Sequence, residues 1–443
     1  MRMRISLAAI AVIAALVMLG VAAAAVPRFT VTPLLRPDGS SETAASIGAT
    51  GQTAFTALSW TSFGTNTWLG QFGSTPSFVG QFDANLAPGV GGGGDADVDL
   101  GATGTLHLTS LIFFFNPVAR ITQLGVSAVT CPNADVSNGF ASCKSQIIDT
   151  TQADRQWITS RGSQVWIAYH DSGNSSTVHV QRSDDDGFTW RRVGDPITGN
   201  GSTTSGSTFD NSNGPIVADP NSNMLYDIYA HGEAGIQKAT TARFNHVTVA
   251  RSMDGGKTWT STDIYNAPLN AAQNNVFSSL AVDSVTGVVY ATWSDQAHVF
   301  VAKSSDDGAT WSKAVAVTAA PVATAVEPWI AASNGTVDAV YYGTAVAGNS
   351  NSETGAAWQV YLAQSTNAGK TYAQSQVSPG TNHVGPICTG GISCAPGTRN
   401  LLDLFEISIS PQSGKAAIIY TDDTLTTTSD GKPLPQAVLA QQS

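Results

Sequence analysis

Charge is scarce in this sequence: Asp, Glu, Lys and Arg together make up 12% of its 443 residues. Cysteine is limited to four residues with no Cys-x-x-Cys spacing, which argues against a cysteine-held metal. No Gly-x-Ser-x-Gly elbow and no His-Glu-x-x-His occurs, so two motif-borne routes to hydrolysis are missing. The glycine run at 91–94 leads into no helix and is not a phosphate cradle. After residue 25, helix formers rarely recur at helical spacing. What remains is glycine (43 residues), small polar residues and many short apolar runs, the composition of an all-β chain. At this length such a chain is either two or three ordinary domains or one large repeat architecture.

The first residues stand apart. A basic start, "MRMR", precedes the apolar "ISLAAIAVIAALVMLGVAAAA", which ends in small residues. This predicts a secretory signal over 1–25, with Ala-x-Ala-type sites at Ala23–Ala25, and a mature chain over 26–443. The alternative is an uncleaved membrane anchor. No cysteine follows the run, which argues against a lipid-anchored form. Losing Arg2 and Arg4 takes the 21 basic residues to 19 against 32 acidic ones, a net charge of −13. Such a surface does not invite nucleic acid or anionic lipid. A secreted, extracellular or periplasmic monomer is expected, without membrane insertion after cleavage. Export makes Cys131–Cys143 and Cys388–Cys394 the simplest of three disulfide connectivities, each closing a local loop.

A repeat dominates the rest. "RSDDDGFTW" (182–190), "RSMDGGKTW" (251–259) and "SSDDGATW" (304–311) share one pattern, and "QSTNAGKTY" (364–372) is a worn copy. Each full copy sits in the same order: a strand, a turn, an aromatic-rich strand, a loop, a third strand, the motif, then a fourth strand. Four-stranded units at such spacing predict the blades of a single β-propeller. Units start near 45, 95, 154, 213, 275, 327 and 403, which gives seven blades, or six if the first is only a flap. The last unit lacks a full fourth strand, and "RFTVTPLL" (28–35) is placed to supply it and close the ring.

The motif itself reads as a turn between strands three and four. Gly187, Gly256 and Gly308 supply positive φ, and the Ser and Asp side chains bond the turn's own backbone. Asp185, Asp254 and Asp306 are therefore expected to build the fold rather than catalyse. The pattern resembles the Asp box, the bacterial neuraminidase repeat of sialidase-like propellers. That resemblance covers roughly 154–378 and implies the propeller fold; for activity it implies glycan chemistry of the sialidase type. It would require an arginine triad, a Tyr nucleophile paired with a Glu, and an Asp acid/base. The family's Arg-Ile-Pro-type segment is missing here; "VPRFTVTPL" offers Arg28 without the motif.

In a propeller the starts of the first strands and the ends of the second strands share one rim, opposite these turns. On that rim the sequence places Asp95, Asp97, Asp154, Arg155, Asn213, Asn275, Glu327 and Asp403, and then His170, Asp171, His231, Glu233, Asp295, Asp422 and Asp423. Candidate catalytic residues are Arg155, Asp154 and Glu327; candidate substrate contacts are His170, Asp171, His231, Asp295 and Asp403. Arg155 is expected to be an exposed guanidinium awaiting an anionic sugar, with Arg120, Arg243 and Arg399 in loops that could join it. Tyr169, Tyr290 and Tyr420 end second strands near the rim without matching the nucleophile. Asp95 and Asp97 alternate as if for a hard cation, and Ca²⁺ there is the one cofactor considered. Sequons begin at Asn174, Asn200 and Asn334. The partner expected is a glycan or cell-envelope material. Two functions are carried forward: a glycosidase of the sialidase-like type, and a non-catalytic propeller that binds glycan, protein or cell-wall material.

Overall fold

A computed structural model describes residues 27–116, 121–132, 140, 142–171, 177–197, 211–232 and 244–443. The expected signal segment, the sequons at Asn174 and Asn200, and Arg120, Glu233 and Arg243 lie outside them. The described residues form seven antiparallel sheets of four strands each, one of them extended by a two-residue strand, His383–Val384, and almost no helix. Neighbouring innermost strands touch all the way round, so the sheets are the blades of a seven-bladed β-propeller. The first unit is a complete blade, Ser40–Ile47, Gln52–Ser59, Thr65–Gln71 and Ser77–Gly80, and not a flap.

Burial explains why these segments become strands. The second strand of the third blade, Gln164–Asp171 (QVWIAYHD), is covered on both faces by adjacent blades, hence its nearly unbroken apolar run. The outermost strand of that blade, Arg191–Arg192, is exposed. The core lies between blades and, at the axis, between opposite ones. Trp157 of the third blade meets Trp329 of the sixth at 5.2 Å and Phe277 at 5.4 Å. These rings fill the central channel.

The two chain ends close the ring. Phe29–Leu34 pairs antiparallel with Gln436–Gln442 and becomes the outer strand of the seventh blade, as the sequence predicts. Disulfides join Cys131 to Cys143 and Cys388 to Cys394.

All four copies of the repeated turn join strand three to strand four. In the fifth blade, Ser304 Oγ donates to Asp306 Oδ1 (2.8 Å) and accepts from the Gly308 amide (2.9 Å). Asp306 in turn accepts from the Thr310 amide (2.9 Å) and hydroxyl (2.6 Å). These bonds hold its carboxyl down at about 2. Gly308, at φ 75°, is where the backbone must enter the left-handed region. Trp311 Nε1 donates back to the Gly308 carbonyl at 3.2 Å.

Each turn also grips the preceding blade. Thr130 reaches the Gly187 carbonyl (3.0 Å), Trp166 that of Gly255 (3.1 Å), Arg251 that of Asp307 (3.2 Å) and Lys303 that of Ala368 (2.7 Å). The repeat is thus a hairpin turn and an inter-blade clasp at once. Ser304→Ala should leave the buried Gly308 amide without an acceptor, costing about 1–2 kcal/mol. Chemical denaturation is expected to show that loss, with ligand binding at the opposite rim unchanged; an unaltered midpoint would contradict this role.

Candidate functional site

The opposite rim is built by a device that recurs at the start of the inner strands. In the first, third and sixth blades the ladder with strand two slips, at Ser41/Thr43, Asp154/Gln156 and Val326/Trp329. The residue at the slip is in each case charged and at positive φ: Glu42 (52°), Arg155 (51°) and Glu327 (54°). A non-glycine residue held there costs about 1–3 kcal/mol. A bulge re-aims its side chain out of the normal alternation, and these three are buried where the inner strands converge.

Around them the mouth gathers opposite charges. The Arg155 guanidinium pairs with Glu42 and lies 3.7 Å from Asp95. It stacks 3.8 Å above Trp157 and 5.0 Å from Phe277, so the aromatic plug is its floor. Arg399 pairs with Asp403, its Nε donating at 2.9 Å. Asp154 and Asp95 share a side-chain hydrogen bond. Both Glu327 carboxyl oxygens are buried with no hydrogen-bond partner. Five carboxyl groups thus face two guanidiniums.

This imbalance, together with burial, pushes several carboxyls above their ordinary range. Burial, then the charge of Asp95, pushes Asp154 up to about 8. Burial and Asp95 also push Glu42 well above the usual carboxylate range, against the pull of Arg155. Burial, with Asp403 and Glu42 nearby, does the same to Glu327. Asp95 goes the other way: burial would raise it, but Arg155 and the bond from Asp154 together hold it below its ordinary value. The result is a carboxyl–carboxylate pair, Asp154 neutral and Asp95 ionised.

The structure brings Asp95, Asp154, Arg155, Glu327 and Asp403 together, with Arg399 and with Glu42. Glu42 escaped the sequence reading. Its signal was faint: it fills the position in "SSETAAS" that Arg155 and Glu327 fill in their blades, near the start of the inner strand. Arg155 differs from expectation. It is a buried strut clasped by Glu42 and Trp157, only 5% exposed, because three blades converge on it. Asp97 is used structurally, accepting from the Val98 and Ile158 amides at 2.7 and 2.8 Å. It therefore does not join Asp95, which faces Arg155, as a cation pair.

The remaining candidates are dispersed. His170 is buried opposite Asp154 in the ladder, and burial drives its imidazole down to about 4. Asp171 contacts His179 at 3.1 Å. Asp295 caps its own loop, accepting from the His298 amide at 2.7 Å. Asp423 contacts His383 (2.9 Å) and Asn400 (2.8 Å). His231 belongs to a separate cluster in the fourth blade. Tyr342, beside Glu327, is fully buried and its hydroxyl is bonded to the Thr421 backbone, so it is not available as a nucleophile.

No protein-family profile and no curated protein matches the chain. Solved structures of similar fold include the Hadza microbial sialidase Hz136, at 13% identity over 70% of this chain and 64% of that one, with a TM-score of 0.45. An α-L-arabinofuranosidase from Fusarium graminearum in complex with an iminosugar inhibitor shares 10% identity over 94% and 97% of the two chains, TM-score 0.45. A protein of unknown function from Dyadobacter fermentans shares 13% over 93% and 98%, TM-score 0.49. The chain spans 64% of the sialidase's length. Likeness at this level concerns the fold and carries no argument about chemistry.

Two outcomes follow from the geometry. Carboxyls such as Asp154 (about 8) and Asp97 (about 7) bind protons more tightly folded than unfolded. Raising the pH from about 4 therefore costs stability until their folded values are passed. The melting temperature should peak near about pH 5 and fall toward pH 8; a rise across that window would contradict the buried-carboxyl reading. Arg155→Ala should cost about 3 kcal/mol by stranding Glu42, and the double change Arg155→Met with Glu42→Gln should recover much of it. Denaturant titration of the native chain and the two variants checks both.

Proposed function

We propose that the chain is a secreted, sialidase-like Asp-box propeller that takes a glycan at the channel mouth and hydrolyses a glycosidic bond there. The observation that carries this is the convergence of Asp154, Asp95, Glu327 and Asp403 from four blades on one end of the axis. Glycoside hydrolysis needs one protonated and one ionised carboxyl around the scissile bond. Asp154 is the general acid in this reading, giving its proton to the leaving-group oxygen. Asp95 is too closely bonded to Asp154 to work from the other side of the sugar. Asp403, from the seventh blade and ion-paired with Arg399, is the second carboxylate, the base that takes a proton from the water attacking the anomeric carbon. Glu327, whose carboxyl oxygens have no partner among the described residues, offers a hydrogen bond to a sugar hydroxyl.

The two guanidiniums at the mouth are already held by Glu42 and Asp403. A carboxylate-bearing sugar would have to displace those partners, so a neutral glycan fits better than a sialic acid. Export is supported by the apolar N-terminal run and by the two local disulfides. One observation favours the alternative of a non-catalytic glycan-binding propeller: the most deeply buried charges, Glu42 and Arg155, serve each other and the fold.

The test is a panel of fluorogenic aryl glycosides, a sialoside among them, alongside a glycan array. Release of a neutral sugar is expected, with little from the sialoside. Asp154→Asn should slow release by about 100-fold or more while leaving glycan binding and the melting temperature intact. Binding without any release by the native chain would establish the non-catalytic propeller. Neither binding nor release would sink the glycan reading altogether.

A further inference from the structure

Away from the mouth, the fourth blade carries a second cluster of side chains with chemistry of its own. His231 ends its second strand, Leu225–His231, and lies directly opposite His246, which begins the third, His246–Ser252. The two imidazoles are parallel within 7°, with centroids 4.7 Å apart. Asp263 comes from the outer strand, Thr260–Asn266. Its place depends on a bulge: the ladder pairs Val247 with Tyr265 but Thr248 with Asp263. A regular ladder would have set Ile264 opposite Thr248. The skipped residue instead moves Asp263 onto the face shared by Thr248, His246 and His231.

The distances suit one shared ion. His231 Nε2 and His246 Nδ1 each lie 3.5 Å from an Asp263 oxygen, and the three ligand atoms fall within 4.8 Å of one another. Tetrahedral bonds of about 2.1 Å put neighbouring ligands roughly 3.4 Å apart. Parallel rings cannot both point at one ion, so binding requires each to turn about its terminal torsion, which is a broad and soft rotation. Thr248 Oγ1, 3.0 Å from His231 Nε2, and Asn266 Oδ1, 2.5 Å from His246 Nδ1, are the contacts those turns would exchange.

We propose that His231, His246 and Asp263 form a zinc site with a fourth position open to water or to an exogenous ligand. Two imidazoles and one carboxylate favour a borderline transition metal over Ca²⁺ or Mg²⁺, which take oxygen donors. The site is independent of the glycan reading at the channel mouth. Protons compete with Zn²⁺ for imidazole ligands, so affinity falls at low pH.

Isothermal titration of the mature chain, produced without a histidine tag, tests it with Zn²⁺ and Ca²⁺ separately at pH 7.5 and 5.5. One Zn²⁺ per chain is expected at pH 7.5, with much weaker binding at pH 5.5 and none of Ca²⁺. Substituting Co²⁺ should give the intense visible absorption of a tetrahedral centre. His246→Gln and Asp263→Ala should each weaken Zn²⁺ about 100-fold or more; Asp263 is half exposed at its side chain, so its variant folds even if the other does not. His298→Ala, an exposed histidine elsewhere, should change nothing. Failure of Zn²⁺ to bind, unchanged affinity in Asp263→Ala, or loss in His298→Ala would each overturn the proposal.

Discussion

The antiparallel pairing of Phe29–Leu34 with Gln436–Gln442 is the contact on which the remaining structure rests. Without it the seventh blade has an unpaired edge and the ring has a gap. With it, seven inner strands converge and tie their neighbours directly. Glu406 accepts from the Ala45 amide (2.9 Å), Ser46 from that of Leu100 (2.9 Å) and Asp97 from that of Ile158 (2.8 Å). The repeated turns tie the blades a second time at the periphery. The fold therefore has an inner and an outer set of clasps, and both need the circle to be complete.

Convergence has a cost at the mouth. Strands that meet at an axis bring their first residues together, and here those residues are charged. The molecule meets the cost in three ways. It pairs Glu42 with Arg155 and Arg399 with Asp403, it lays a guanidinium on an aromatic floor, and it pushes the surplus carboxyls above their ordinary range. None of this helps folding as well as apolar residues of similar volume would. Left-handed backbone at three charged positions breaks local rules at the same mouth, and the proposed function rests on that convergence.

Much of this was legible from the sequence because its signals are local. A glycine-bearing turn of fixed composition after the third strand of four successive blades sets blade spacing within a few dozen residues, and two cysteines in one loop leave little choice of partner. The site was legible in part. Asp154, Glu327 and Asp403 announce themselves as charges preceding apolar strands. Glu42 does not, since the first blade opens on alanine, serine and threonine with no apolar contrast. The burial of Arg155 was misjudged because its cover, Trp157 and Phe277, comes partly from a blade more than 100 residues away. Asp263 was hidden by a one-residue bulge, which leaves no trace in the alternation of side chains.

The closing pair has a mechanical meaning. The two ends of the ring lie side by side: the Ser443 amide donates to the Arg28 carbonyl at 2.9 Å, and Phe29 faces Gln442. A pull on Arg28 and Ser443 would thus load the ladder one rung at a time, as in a zipper, and never all rungs together in shear. The seam is strong against solvent and weak against tension. It is also why the ring behaves as a topological circle: with Arg28 joined to Ser443 and the chain cut at an exposed turn, the same blades would meet in the same order.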